Sequence, residues 1–129
     1  VAATDTLKVM LLGSSATFNA THTTIAEVSS SGAYEVSGNG WATGGEVISG
    51  ITFDQVPSTA HVMLDGDDVS RPVVGGSLGP IYHYVVFDDT LTDDPPLILV
   101  TLDAPLTISE NYQALIQWGA NGIIYIEAQ

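Results

Sequence analysis

The sequence predicts an all-β fold: one antiparallel β-sandwich or barrel-like domain of about seven strands, with a long glycine-rich loop and at most one short helix. Three observations point there. Runs of β-branched and aromatic residues recur roughly every 8–15 positions along the chain. The joints between them are rich in Gly, Pro, Asn and Asp, the residues that turns select. No apolar pattern with a 3.6-residue period extends beyond one brief stretch.

The first strand is TLKVMLL (6–12), with Lys8 its only charge. A long irregular loop follows over 13–47. Within it THTTIAEV (21–28) offers Thr21 or Thr24 as the cap of one or two helical turns ending at Glu27. ITFDQV (51–56) and AHVMLD (60–65) flank PST (57–59) and read as a hairpin. IYHYVVFD (81–88) is the strongest strand pattern, and LILVTLD (97–103) comes after the turn DDTLTDDPP (88–96). NYQALIQW (111–118) and GIIYIEA (122–128) flank GAN (119–121) and suggest a second hairpin.

At 129 residues, 1–129 is expected to form a single β-domain. Apolar residues make up 45% of the chain, enough for a core, yet no apolar run approaches the length of a membrane span. No charged-then-apolar leader is visible, so no signal peptide is expected. Fifteen carboxylates face only Lys8 and Arg71, a net charge of −13. Affinity for nucleic acid comes from cations that displace counterions, so DNA, RNA and anionic membranes are excluded as partners. The charge fits equally a solubilising surface or an acidic binding face. The absence of cysteine excludes disulfides, zinc–thiolate sites and thiol catalysis. A domain without staples gains stability from assembly with copies of itself or with a larger scaffold.

Candidates for chemistry are few. GGSLG (75–79) matches the string of the hydrolase nucleophile elbow, but Pro80 and a strand follow Ser77 where that motif needs a helix. His22, His61 and His83 show no metal-ligand spacing. DGDD (65–68), DD (88–89) and DD (93–94) could supply oxygens to calcium, but the EF-hand register fails at Val69 and Gly76, and turn chemistry accounts for them. AYEVSGNGWATGG (33–45) has no Lys or Arg to meet a phosphate. A sugar stacked on Trp41 or Tyr34 is one reading of it. The other is structural: Gly38, Gly40, Gly44 and Gly45 permit close approach while Tyr34, Val36 and Trp41 pin the loop to the core or to a neighbouring subunit. No catalytic, cofactor or metal site is expected.

Several of these segments carry a resemblance. The stretch from LKVMLLGSS through YEVSGNGWATGGEV (7–47), then VMLDGDDVS (62–70), IYHYVVFDDT (81–90) and ALIQWGANGIIYI (114–126), is similar to a family of small tailed-bacteriophage virion proteins. That family opens with a strand like "IKVALL", continues to "YEVSGxGYxxGG", and closes with "FTIxWxxNGIIxI". Here Ser70-Arg71-Pro72 stands where the family has Trp, Pro80-Ile81-Tyr82 where it commonly has Arg, and Glu46 where it has a cation.

The resemblance implies a virion structural protein with no enzymatic role, made in the host cytoplasm. The expected place is the outer capsid surface, as a decoration (cement) protein bound to the major capsid protein. A tail or fibre-associated protein recognising a host glycan or another partner is the alternative. Icosahedral threefold points favour a homotrimer by symmetry. The expected interface is the first strand, through Leu7 and Val9, together with Tyr34, Val36 and Trp41 of the glycine loop.

Overall fold

The computed structural model describes residues 4–56, 61–119 and 123–127. Ten strands and one helix occur in the order β1 (Leu7–Leu12), α1 (Ile25–Ser29), β2 (Glu35–Val36), β3 (Glu46–Ile48), β4 (Thr52–Val56), β5 (His61–Asp65), β6 (Val69–Pro72), β7 (Leu78–Asp88), β8 (Pro96–Ile108), β9 (Gln113–Ile116) and β10 (Ile124–Glu127). The all-β expectation holds. The strands exceed the seven expected because β2, β3 and β6 are too short to show a period in the sequence.

LKVMLL is apolar on both faces because β1 lies inside the sheet. One edge pairs antiparallel with β7 from Leu7↔Asp88 to Leu12↔His83. The other edge is shared by β2 at Leu11–Leu12 and β3 at Leu7–Val9. Side chains alternate across a strand, so β1 feeds two cores. Leu7, Val9 and Leu11 enter the main one, which also takes Leu64, Val69, Val86 and Ala114. Met10 and Leu12 enter a smaller one with Ala16, Val28, Val85 and Phe87.

Three antiparallel sheets meet at the main core. The first runs β2-β1-β7-β8, with β3 also on β1; the second runs β10-β5-β4; the third pairs β6 with β9. The β4–β5 hairpin forms as expected, its turn at 57–59 lying outside the described residues. The second expected hairpin does not form. β9 pairs with β6 and β10 pairs with β5, so the two strands part company. Trp118 marks the divergence, its backbone N–H donating to Asp68 Oδ1 (3.0 Å) and its indole to the Asp67 carbonyl (2.9 Å).

The helix begins one residue after Thr24, whose hydroxyl accepts from Glu27 N–H at 3.1 Å. Glu27 Oε1 in turn accepts from the Thr23 N–H and the Thr23 hydroxyl, both at 3.1 Å. These Thr23 bonds hold the exposed Glu27 carboxyl below the usual carboxylate range. The helix continues two residues past Glu27, and Ser30 and Ser31 then adopt left-handed conformations and end it. Val28 seals the smaller core from above β1.

β8 runs five residues beyond the expected Asp103, through Pro105. It ends the strand order of its sheet, so the proline has no ladder bond to lose on its outer side. Its register against β7 slips between His83↔Thr101 and Ile81↔Leu106, which leaves residues 102–105 opposite Tyr82 alone. This wide bulge lifts the outer half of β8 away from regular pairing.

Candidate contact surface

The glycine loop is a clasp between parts of the same chain. A Cβ built on Gly40, whose φ is +106°, would lie 2.1 Å from the Pro72 carbonyl oxygen of β6. One on Gly45, with φ +101°, would lie 2.9 Å from the Val9 carbonyl oxygen of β1. Backbone meets backbone at both points, and only glycine fits. Around the first of them, Gly38 and Trp41 exchange N–H···O bonds of 2.8 and 3.0 Å. Asn39 Nδ2 reaches the Ser77 carbonyl (2.7 Å), Gly44 N–H donates to Glu35 Oε2 (2.6 Å) and Ala42 N–H to Glu46 Oε1 (3.2 Å). Arg71 Nε then closes on the buried Glu46 Oε2 at 3.0 Å.

This arrangement corrects the expected interface. Leu7 and Val9 are 0% exposed and Trp41 is 2% exposed, all within the chain's own main core. Val36 is half-buried against that core and Tyr34 against the smaller one. A partner cannot reach the first three side chains without unfolding the sheet. Of the two structural readings of the loop, attachment to the core is the one found for Trp41.

Large apolar side chains are exposed at Phe18, Val47, Phe53 and Leu91, and at four further positions on β8, β9 and the segments next to them. Leu106 on β8 is 48% exposed, Leu115 on β9 55%, Tyr112 just before β9 68%, and Val74 just after β6 52%. Reciprocal bonds, Val73 N–H to the Tyr112 carbonyl (2.9 Å) and Asn111 N–H to the Val73 carbonyl (2.8 Å), fix these segments side by side. Leu106, Tyr112 and Leu115 line a shallow groove together with Thr107 and Gln113. Leu106, Ile108 and Leu115 also rim a deeper cavity of about 200 Å³, whose lining includes Trp41 and Tyr84. Neither the groove nor the cavity is lined by Asp, Glu, Lys or Arg, in a chain with fifteen carboxylates. Depletion of charge with an aromatic present is the composition of an interface centre.

One sequence signal for this face exists. In NYQALIQW the face bearing Ala114 and Ile116 is the buried one, yet Leu115 sits on the opposite face between Gln113 and Gln117. Pro105 hid the continuation of β8 that brings Leu106 alongside.

The remaining candidates are placed as follows. Ser77 precedes β7 and no helix follows it. His83 Nδ1 shares a 2.9 Å hydrogen bond with Thr101 Oγ1 on the β7–β8 pair, and His22 lies in the loop before α1. The His61 side chain is outside the described residues. Among the described residues no cluster of three or more His, Asp or Glu side chains could hold a metal. Asp88, at the end of β7, is buried with its Oδ1 accepting from Thr90 N–H (2.9 Å) and Leu91 N–H (3.4 Å). Burial, and then the neighbouring Asp5 carboxyl, push the Asp88 carboxyl above its ordinary range. Among the described residues no helix is long and apolar enough to cross a membrane.

No family model, curated protein or solved structure matches the chain.

Proposed function

We propose that this chain is a capsid decoration protein of a tailed bacteriophage, one that binds the outer shell through the major capsid protein and stabilises it. The observation that carries the reading is the groove of Leu106, Tyr112 and Leu115, lined by no charged side chain, on a chain of net charge −13. The motif resemblance supplies the particle. Strong negative charge keeps the protein away from packaged DNA and soluble until it meets its site. Once there, bridging neighbouring capsid subunits adds buried interface to the assembled state only, and so stabilises that state by mass action. A homotrimer on threefold positions is the assembly proposed.

The alternative, a tail or fibre protein that stacks a glycan on the loop, loses its main residue, because Trp41 is enclosed in the core. The test is to mix purified protein with undecorated heads and count bound copies by electron microscopy. Regular density at threefold or quasi-threefold positions supports the reading. Bare heads, or protein only at the tail tip, contradict it.

A further inference from the structure

We propose that Asp5 and Asp88 form a proton-operated latch: Asp88 Oδ2 holds one proton, donates it to the Asp5 carboxylate, and so fastens the segment before β1 to the turn after β7. The inference goes beyond the decoration reading and does not depend on it.

The geometry leaves this buried carboxyl few choices. Asp88 is 0% exposed. Its Oδ1 is satisfied by the N–H groups of Thr90 (2.9 Å) and Leu91 (3.4 Å). Its Oδ2 is buried, and among the described residues no N–H or hydroxyl donates to it. The group that meets this carboxyl is a second carboxyl, that of Asp5, in a side-chain hydrogen bond. Ionised carboxylates only accept, so two of them share such a bond only with a proton between them. The chain's two cationic side chains do not take that proton's place. Lys8 Nζ is engaged with Asp89 Oδ2 and Arg71 Nε with Glu46 Oε2 of β3, each at 3.0 Å. The other charged residues of the turn are the acidic Asp89, Asp93 and Asp94, and β8 brings none before Asp103. Burial, and then the Asp5 hydrogen bond, accordingly raise the Asp88 carboxyl above its ordinary range.

One side of this contact is fixed and the other is a strap. The turn is braced by Asp88 N–H donating to the Pro95 carbonyl and by Ile25 N–H of α1 donating to the Asp94 carbonyl, both at 3.0 Å. Against it lies the segment before β1, where Thr6 N–H donates to Thr90 Oγ1 (2.7 Å) and the Thr6 carbonyl accepts from Asp89 N–H (2.8 Å). The closed form binds one proton more than the open form. Its contribution is therefore complete below the ordinary carboxylate range and is lost as pH rises through the raised pKa of Asp88. Acid closes the latch, and a rise in pH opens it by leaving two carboxylates to repel each other. The β1–β7 ladder from Leu7 onward stays paired in both forms.

The experiment follows the isotope-labelled full chain by NMR from about pH 4 to about pH 8, a span that brackets the ordinary and the raised carboxylate ranges. The side-chain carboxyl carbon of Asp88 should titrate above those of the exposed aspartates. Over the same span the hydrogen-exchange protection of the Thr6 and Asp89 amides should fall, by up to about tenfold per pH unit, the most that release of one proton allows. The amides of Met10 and Val86, inside the β1–β7 ladder, should keep theirs. Asp88→Asn has a side-chain amide that donates to Asp5 at every pH, and should hold the Thr6 and Asp89 protection constant. Asp5→Ala should lower that protection at acid pH to the level wild type reaches at alkaline pH. An Asp88 carbon that titrates with the exposed aspartates, protection that ignores pH, or Asp5→Ala matching wild type in acid overturns the latch. So does recovery of protection at neutral pH on adding calcium, which would assign the contact to a cation instead of a proton.

Discussion

The glycine loop and the outer end of β8 exchange the roles their sequences suggest. The loop has two aromatics among glycines and reads as a surface for contact, yet its backbone is locked onto β1 and β6 and Trp41 is enclosed. The segment APLTI at 104–108 reads as the tail of an ordinary strand, yet it presents Leu106 to solvent beside Leu115. Glycine's lack of a side chain serves two opposite ends, mobility and close approach. A Cβ clearance of 2.1 Å decides for close approach at Gly40.

The contrast predicts very different responses to substitution. Gly40→Ala puts a methyl group into the Pro72 carbonyl at a left-handed position, and should cost on the order of 4 kcal/mol. Denaturant unfolding measures it; a loss below about 1 kcal/mol would mean that the clasp is loose. Deletion of residues 1–12 removes the strand that joins both cores, so it should give no folded protein rather than a soluble one with lost binding. Arg71→Ala leaves the Glu46 carboxylate buried with only Ala42 N–H beside it. About 2 kcal/mol should be lost, less than the 3–5 of a fully buried pair because the Arg71 side chain is half exposed.

A smaller, pH-dependent effect is expected at the buried end of β7. Because the folded Asp88 carboxyl titrates above its unfolded value, its contribution is fully present below the ordinary carboxylate range. It is lost as pH rises through the raised pKa, leaving a buried charge at neutral pH. Asp88→Asn keeps an oxygen for Thr90 and Leu91 N–H and removes that loss. The variant should gain stability relative to wild type as pH rises from acid to neutral, seen as diverging urea midpoints. Parallel midpoints would show that Asp88 is ionised at little cost.

The smallest stability change belongs to the exposed face. Leu106→Ser with Leu115→Ser should shift unfolding by less than about 1 kcal/mol while abolishing binding to the shell. A large loss of stability would mean that these side chains belong to the core.

The class of fold was legible in the sequence because the long strands are full of β-branched and aromatic residues; β1, β7 and the β4–β5 pair follow from local pattern alone. The helix followed from Thr24 and Glu27, three residues apart. What could not be read is non-local. Whether NYQALIQW pairs with its sequence neighbour or with β6 depends on Val69 and Ala114 entering one core, which no short window contains. The burial of three of the residues expected to make contacts was hidden for the same reason. Burial of Leu7, Val9 and Trp41 is set by β6, β7 and the loop closing over them, whereas the exposed face arises where β8 and β9 each pair along one edge only among the described residues.

The most direct measurement is the occupancy of undecorated heads by wild type and by the Leu106→Ser, Leu115→Ser variant, with Tyr34→Ser as the loop control. Regular binding by wild type and Tyr34→Ser, lost in the double variant, is the predicted result. Wild-type occupancy by the double variant, or bare heads with every protein, would contradict the account.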